Sequence, residues 1–298
     1  SMRIGLIINP AANAGRGAKA GLQVQELLLD AGLAVLNLSA NTLEQARENG
    51  HRAIASKLID GLIVVGGDGM VHLATNLCAQ TEVPFGLVAA GTGNDAARTL
   101  GLPVANVPAA VRAILDNLEK PRAIDAVRAT STAGEFWFLG SISAGFDALV
   151  ASRANKMRWP KGPARYTVAM LLELAKFKPI KFDAVIDGKS RKFEAMLCAV
   201  CNTKGFGGGL LAVPDASIDD GQFDLFIVHG ISRLELIRMY PKAFKGLHVG
   251  HPPVEILRAK DVSLASGDMP AYADGESVGR APITAKIVPG ALRVFAAN

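Results

Sequence analysis

The chain has 298 residues, of which half are hydrophobic and 20% are charged, with a net charge of +5. This composition excludes a disordered chain and predicts a globular protein of one large or two ordinary domains. The mild positive charge suits anionic nucleotides or lipid surfaces, whereas the lack of a dense Lys/Arg run with interleaved aromatics argues against nucleic acid. No apolar run approaches the ~18 residues that span a bilayer. Three cysteines give no disulfide framework, so we expect a cytoplasmic protein.

The first part of the chain alternates short apolar runs with amphipathic helical patterns. Strands are predicted at 4–8, 34–38, 62–65 and 85–89, and helices at 19–31, 43–58, 71–79 and 109–118. In the helix at 43–58 we expect Ala46, Ala53, Ile54 and Leu58 to face inward. Alternating strands and helices with almost continuously apolar strands predict a parallel, doubly wound sheet. Ligands of such sheets bind at the carboxyl ends of the strands.

Two of these strands end in glycine-rich turns. The first turn is Gly66-Gly67-Asp68-Gly69, and the second is Gly91-Thr92-Gly93-Asn94-Asp95. Because glycine has no Cβ, the backbone N–H groups of such turns can approach a phosphate closely. Asp68 would repel a bare phosphate and therefore suggests a metal ion, or a water bound to one, beside the ligand. Each turn alone could be a tight turn that caps a helix, but the pair favours a nucleotide phosphate site.

A third loop of small residues, 9–17, follows the first strand and opens the first helix. Its backbone could also contact a ligand, and Arg16 could reach a phosphate. The alternative is an ordinary connection between strand and helix.

From Ile124 onward, alternating and turn-bounded runs predict an antiparallel sheet or sandwich, so we divide the chain into domains 1–124 and 125–298. Strands are predicted at 136–142, 184–186, 193–200, 223–228, 254–257, 262–264 and 283–288, and helices at 166–177 and 234–244. Cys198 and Cys201 match a C-x-x-C pattern. They lie in a strand-like run, where positions three apart face opposite sides. We expect buried structural thiols there.

Two acidic turns in the second domain have two interpretations each. The carboxylates of 215–221 could hold Mg²⁺ or Ca²⁺ with help from backbone carbonyls, or form a hairpin turn of the Asp-Gly type. Asp274-Gly275-Glu276 has the same ambiguity. The segment Lys156–Lys161 is basic with one aromatic, which suits anionic lipid headgroups, although a solvated loop is the default.

Taken together and in chain order, these motifs resemble those of the bacterial diacylglycerol kinase and sphingosine-kinase-like lipid kinase family. The motifs that carry the resemblance are Asn9-Pro10, Gly66–Gly69, Gly91–Asp95 before Leu100–Pro103, Ala144–Ala148, Pro214–Gly221 and Asp274–Glu276. They span nearly the whole chain. The glycine-aspartate turn alone would also fit NAD kinases and phosphofructokinases.

The resemblance implies an N-terminal α/β domain of the NAD kinase/phosphofructokinase type and a C-terminal antiparallel β-sandwich, with the active site in the cleft between them. The extreme C-terminus would return to the first domain. By the same resemblance, ATP is bound by Asn9, Thr42, Gly66, Gly67, Asp68, Gly69, Thr92 and Asn94. Asp68 and Asp95 would organise Mg²⁺ through its waters.

The resemblance also assigns roles in the second domain. Asp274 would be the general base for a lipid hydroxyl, supported by Glu276, and Asp220 with the carbonyls of Ser217 and Gln222 would form a structural metal site. The implied activity is ATP- and Mg²⁺-dependent transfer of the γ-phosphate to a lipid hydroxyl, with diacylglycerol as the expected acceptor and phosphatidic acid as the product. We expect peripheral contact with a membrane surface, and a homodimer is left open.

Two departures from the family pattern keep alternatives open. Met70 replaces the usual threonine or serine after the glycine-aspartate turn, and His72-Leu73 replaces an Asn-Glu pair. The departures motivate one alternative, an inactive regulator that binds nucleotide or lipid. Asp274-Gly275-Glu276 and Gly91–Asp95 argue against the other alternative, an NAD kinase-like small-molecule kinase.

Overall fold

The computed structural model describes residues 2–12, 16–91, 93–206 and 209–298. The chain forms two compact units. Unit 1 comprises Ser1–Ala126 and Pro289–Asn298, and unit 2 comprises Val127–Val288. Within the described ranges, no helix is long and apolar enough to cross a membrane.

Unit 1 is built from alternating strands and helices. In chain order they are β1 (Arg3–Ile8), a 3₁₀ turn (Pro10–Ala12), α1 (Arg16–Asp30), β2 (Ala34–Asn37), α2 (Leu43–Ala55), β3 (Gly61–Gly66), α3 (Asp68–Cys78), β4 (Phe85–Ala89), α4 (Asp95–Thr99) and α5 (Val107–Asp116). The strands pair in parallel in the order β2-β1-β3-β4. Near the end of the chain, Val294 pairs in parallel with Phe85 and extends this sheet.

Helices cover both faces of the unit 1 sheet. On one face, residues of α1 and α5 form a buried cluster with strand residues such as Ile63. On the other face α2 approaches α3 closely, since a Cβ on Gly50 would lie 2.7 Å from Leu77 Cδ1. The predicted parallel, doubly wound sheet is therefore confirmed. The inward placement of Leu58 is wrong: α2 ends at Ala55, the chain turns at Lys57 with a φ of 54°, and Leu58 is 49% exposed.

Unit 2 consists mainly of antiparallel strands. Its elements, including two strands that cross the unit boundary, are β5 (Arg122–Ser131), β6 (Gly134–Phe138), β7 (Ser141–Gly145), α6 (Phe146–Lys156), α7 (Pro163–Lys176), β8 (Ile180–Ile186), β9 (Lys189–Cys201), β10 (Phe223–His229), α8 (Arg233–Ala243), β11 (Val254–Ala259), β12 (Asp261–Ala265), β13 (Pro270–Ala273), β14 (Glu276–Arg280) and β15 (Ile283–Val294). The strand ladders within this unit are antiparallel, as the sequence predicted.

Strand β9 is the centre of unit 2, because it pairs with β7, β8 and β10. Its two faces belong to two different hydrophobic cores: Cys198 lies in one core and Cys201 in the other. Both thiols are free, and burial raises the pKa of each. The two cysteines are structural, as predicted.

The single strand predicted at 136–142 is wrong. The structure has two strands there, β6 and β7, separated at Leu139 and Gly140. The backbone N–H groups of these two residues turn away from a strand ladder and donate to the carboxylate of Asp274. A partner 134 or more positions away therefore divides the predicted strand in two.

An ion pair joins the strands at one edge of unit 2. Arg191 binds both carboxylate oxygens of Glu255, at 2.8 and 2.6 Å, and His229 Nε2 lies 2.7 Å from Glu255 Oε1. The Arg191 guanidinium, helped by His229, lowers the pKa of Glu255 from 4.5 to about 2.

We predict that Glu255→Gln lowers the free energy of unfolding by about 1 kcal/mol at neutral pH, since the pair is partly exposed to solvent. A lowered folded-state pKa stabilises above the unfolded value. The difference from wild type should therefore be complete above pH 4.5 and shrink as the pH falls towards 2. Urea unfolding at a series of pH values measures it. Glu194→Gln on the exposed side of β9 is the control, and an equal, pH-independent loss in both variants would contradict the prediction.

Candidate phosphate-binding and carboxylate sites

The loops of unit 1 that carry the predicted ligand residues leave the carboxyl ends of parallel strands. Asn9 follows β1, Gly67 follows β3, and 90–94 follow β4. Since the strands are parallel, these loops share one edge of the sheet. A Cβ on Gly66 would lie 3.2 Å from Asn9 Cβ, so the β1 and β3 loops are neighbours.

The two glycine turns touch through their backbones. A Cβ on Gly91 would lie 2.3 Å from Gly67 Cα and 2.6 Å from Gly67 N, which no side chain could tolerate. Gly66 has a φ of 154°, and a Cβ there would lie 2.5 Å from Met70 Cγ. Glycine is therefore required here by space and by backbone conformation.

Asp68 joins the first turn to the second. Its Oδ2 accepts the backbone N–H of Asp95 at 3.0 Å, and its Oδ1 accepts that of Ala96 at 3.1 Å. From the start of α3, Asp68 thus caps α4, the helix after the second turn. Asp95 in turn forms a 2.8 Å ion pair with Arg98. A helix-capping role for the residues of each turn is one of the two predictions from the sequence. The sequence does not predict that the cap links the two turns.

Asn94 lies buried in the second turn with a left-handed backbone, at a φ of 56°. Its Nδ2 donates to the carbonyl of Gly91 at 2.7 Å. Its Oδ1 is buried without a hydrogen-bond partner in the described part of the chain. This oxygen can accept a hydrogen bond from a bound ligand. Thr92, the neighbouring predicted ligand, lies outside the described residues.

Asn9 and Thr42 have local backbone roles. Asn9 Oδ1 accepts the N–H of Ala11 at 3.0 Å, and Thr42 Oγ1 accepts the N–H of Gln45 at 3.2 Å as the N-cap of α2. Residues 13–15 and the side chain of Arg16 lie outside the described part of the structure. The structure thus brings Asn9 to the glycine turns, whereas Thr42 starts a neighbouring helix.

In unit 2, Asp274 and Gly275 form the two-residue turn between β13 and β14. Their φ values of 50° and 80° are those of a type I′ hairpin turn. The Asp274 carboxylate accepts the backbone N–H groups of Leu139, Gly140 and Ser141 at 3.0, 2.7 and 3.2 Å. Glu276 is the first residue of β14. The hairpin interpretation is correct for this turn, and the same carboxylate also organises a second loop.

The residues on the other side of that loop, Asn202 and Thr203, were not predicted from the sequence. The carbonyl of Gly140 accepts the N–H groups of Asn202 and Thr203, and Asn202 Nδ2 donates to the carbonyl of Leu139 at 3.0 Å. Asn202 and Thr203 are buried. The only signal in the sequence is that these two polar residues separate an apolar strand from a glycine run.

Asp147, at the start of α6, is a further carboxylate to which the sequence analysis gave no role. Its Oδ1 is buried. Burial raises its pKa, and hydrogen bonds from Ser143 and from backbone N–H groups oppose the shift. Asp147 is therefore a carboxyl group held in a poorly solvated position.

The acidic loop at 215–221 is arranged around an arginine. Arg258 Nη1 lies 3.8 Å from Asp220 Oδ2, and Arg258 Nε lies 3.8 Å from Asp224 Oδ1. Asp220 Oδ1 also accepts the N–H of Gln222, and Ser217 donates to Asp219. Among the described residues, no three His, Cys, Asp or Glu side chains are placed to hold a metal. The predicted site, with one carboxylate and the carbonyls of Ser217 and Gln222, stays a prediction.

Two of the three residues that depart from the family pattern belong to the core, whereas His72 is only partly buried. Met70 is 2% exposed and Leu73 is 7% exposed on α3. The Met70 side chain lies where a Cβ on residue 66 would be, so it packs directly on Gly66. The apolar side chains at these positions contribute to packing where the family pattern has polar groups.

Two family models cover almost the entire chain. The diacylglycerol kinase catalytic domain matches residues 3–129, and the YegS C-terminal NAD kinase beta sandwich-like domain matches residues 140–296. The chain thus has an α/β unit of the diacylglycerol kinase catalytic type followed by a β-rich unit.

Individual relatives agree with these matches. A diacylglycerol kinase from Mycobacterium tuberculosis is 37% identical over 98% of this chain and 94% of its own length. One from Bacillus subtilis is 26% identical over 94% of this chain and 91% of its own length. The chain therefore belongs to the diacylglycerol kinase family of lipid kinases.

Solved structures share the fold. A diacylglycerol kinase from Bacillus anthracis aligns with a TM-score of 0.71 at 22% identity, covering 99% of this chain and 97% of that chain. An NAD kinase from Archaeoglobus fulgidus, in complex with ATP, aligns with a TM-score of 0.56 at 14% identity, covering 99% and 93%. The predicted α/β fold of the NAD kinase type is confirmed.

We predict that Gly91→Ala destabilises unit 1 by about 2 kcal/mol, because the new methyl group would force apart the backbones of the two glycine turns. Gly230→Ala is the matched control: its Cβ would meet only Pro179, at an ordinary 3.5 Å. Thermal unfolding of both variants is the measurement. Equal stability of the two variants would show that the close approach of Gly91 to Gly67 is not a constraint.

Proposed function

We propose that this protein transfers the γ-phosphoryl group of ATP to a lipid hydroxyl with the help of Mg²⁺, and that diacylglycerol is the acceptor. The names of its relatives support the acceptor. The observation that carries the proposal is the backbone contact between the two glycine turns at the carboxyl ends of β3 and β4. Phosphoryl transfer depends mainly on positioning and on neutralising phosphate charge, and such turns provide both.

The phosphates of ATP would lie over the glycine turns. Helix α3 begins directly after Gly67, so the N–H groups of its first turn lie beside the first glycine turn. The N-terminus of a helix favours anions. Asn94 Oδ1 would accept a hydrogen bond from the nucleotide or from a water of its metal. The ATP complex of the NAD kinase with a similar fold supports ATP as the nucleotide.

The carboxylates of Asp68 and Asp95 fit a magnesium ion held mainly by water and phosphate. The Asp68 carboxylate accepts two backbone N–H groups, and one Asp95 carboxylate oxygen forms an ion pair with Arg98. Because each carboxylate oxygen has two lone pairs, both side chains can accept further hydrogen bonds. Mg²⁺ commonly uses one or two carboxylates together with phosphates. The ion would neutralise charge that develops on the transferred group. Asp68 and Asp95 would orient its waters.

On the acceptor side, Asp274 would take the proton of the lipid hydroxyl, with Glu276 as its supporting carboxylate. The three amides of Leu139–Ser141 fix the orientation of the Asp274 side chain. A fixed carboxylate within hydrogen-bond reach of the hydroxyl is what a general base requires. Peripheral contact with the membrane would bring the lipid, and the exposed Trp159 in the basic segment Lys156–Lys161 suits such contact.

The direct test incubates the protein with radiolabelled ATP, Mg²⁺ and separate acceptors, namely diacylglycerol, a sphingoid base and NAD. Label in phosphatidic acid supports the proposal. Label in NAD alone would replace it with an NAD kinase activity. ATP that binds without turnover of any acceptor would favour a regulator, in agreement with the apolar residues Met70 and Leu73.

A pair of variants isolates the role of Asp274. Asp274→Asn should lower kcat by about 100-fold or more, the usual effect of removing a general base. Asp187→Asn is the matched control, because Asp187 lies in another Asp-Gly turn of unit 2, has a φ of 48° and accepts the N–H groups of Lys260 and Asp261. Its kcat should be unchanged. Equal losses of activity in the two variants would indicate that the Asp274 effect is structural only.

A further inference from the structure

Unit 2 contains a cavity between helix α8 and the two loops that flank it. Its volume is about 590 Å³, which lies within the range of about 300–1,000 Å³ that is usual for small-molecule sites. The backbone N–H of His229 donates to the carbonyl of Pro253 at 2.8 Å and joins the two loops. The cavity lies within unit 2, and none of the residues proposed for catalysis or for binding ATP line it. It is therefore a separate candidate site.

One face of α8 supplies two cations to this cavity. Glu235, Arg238, Met239 and Lys242 all line it and recur at helical spacing, which places them on the same side of the helix. Arg238 and Lys242 are four positions apart, so their charged groups can reach one and the same ligand. Neither forms an ion pair with another described residue. The two cations are thus available to an anion in the cavity.

The carboxylate closest to the cavity in unit 2 does not compete for these cations. Glu255 is bound through both of its oxygens by Arg191 and through Oε1 by His229, which lines the cavity. Because an ionised carboxylate can only accept, His229 Nε2 carries the hydrogen of this bond. The pairing of β9 with β10 shifts register between Val228 and His229. Such a bulge re-aims a side chain and is common beside functional sites.

The acidic residue of the lining has a structural explanation. Ser232 is the N-cap of α8, and its Oγ accepts the backbone N–H of Glu235 at 3.2 Å. Ser232-x-x-Glu235 is the spacing of a capping box, and a carboxylate in the first turn stabilises a helix. The helix dipole likewise explains Lys242 in the last turn, but not Arg238 in the middle of α8.

The charged part of the lining favours a phosphate group over a metal ion. Among the described residues, no three His, Cys, Asp or Glu side chains are placed to hold a metal, and two cations would repel one. A guanidinium matches the oxygens of a phosphate with two parallel hydrogen bonds, and a lysine adds a point charge. His251 lines the same cavity and offers a further donor.

The other part of the lining is apolar. An inorganic phosphate would fill only a small part of about 590 Å³. A phosphate monoester with an apolar ring would instead place its phosphate on the cations and its ring on the apolar wall. The apolar residues of the lining are Ile231, Met239, Pro252 and Pro253.

We propose that this cavity binds a small, water-soluble phosphate monoester, with the phosphate between Arg238 and Lys242 and the apolar part of the ester against Met239 and Pro252. The ester is an effector rather than a substrate, since none of the residues proposed for catalysis line the cavity. This site goes beyond the proposed kinase reaction, because binding here requires neither ATP nor a lipid acceptor.

The probe for the test is phenyl phosphate, which joins a phosphate monoester to an apolar ring. Binding to the full chain is followed by NMR of isotope-labelled methionine methyl groups. Met239 lines the cavity, whereas Met70 packs on the first glycine turn, so the two signals distinguish the two places where a phosphate can bind. Phenyl phosphate should shift the Met239 signal and bind about tenfold more tightly than inorganic phosphate, which lacks the ring, or benzoate, which carries less charge.

A pair of double variants locates the phosphate group. Arg238→Gln combined with Lys242→Gln should weaken the binding of phenyl phosphate by about tenfold. Arg233→Gln combined with Lys245→Gln is the matched control, because these two cations lie at either end of the same helix but outside the lining of the cavity. Binding to this control variant should be unchanged.

Four results would overturn the proposal. They are a Met239 signal that does not respond, a response of Met70 alone, benzoate that binds as tightly as phenyl phosphate, and equal losses of affinity in the two double variants. Neither ATP nor a lipid is present in these measurements. A kinase assay that yields no product therefore leaves their result interpretable.

Discussion

The backbone contact between Gly67 and Gly91 is the constraint on which unit 1 depends. It brings the loops after β3 and β4 within van der Waals distance, where any side chain would separate them. Asp68 then crosses from one loop to the other and caps α4 through the N–H groups of Asp95 and Ala96. These contacts hold the described residues of the two turns in place relative to one another, and electrostatic catalysis of phosphoryl transfer depends on preorganisation of this kind.

In unit 2 as well, side-chain hydrogen bonds hold a loop in place. The segment Leu139–Ser141 is held by the Asp274 carboxylate on one side and by Asn202 on the other. The residues proposed for chemistry are thus also residues that hold loops in place. Structural and functional interpretations of Asp68 and Asp274 are therefore not exclusive, and only matched variants such as those at Asp187 separate them.

The fold could be predicted largely from the sequence, because buried parallel strands and amphipathic helices have strong periodic signals. The failures have local causes. Helical spacing predicts that Leu58 faces inward, but α2 ends three residues earlier. The run at 136–142 predicts one strand, since nothing nearby in the sequence shows that the Asp274 carboxylate accepts the backbone N–H groups of Leu139 and Gly140. The strands β13 and β14 carry too little alternation to be found.

Residue identity and order are enough to predict the family, the two glycine turns and the carboxylates. Tertiary structure alone decided which groups meet: Gly91 against Gly67, Asp68 on α4, Asp274 on the loop at 139–141, and Arg258 beside Asp220. It also decided that Arg238 and Lys242 of α8 share a cavity with His229. Contacts between residues far apart in the chain leave no periodic signal, and a cavity is a property of packing rather than of sequence.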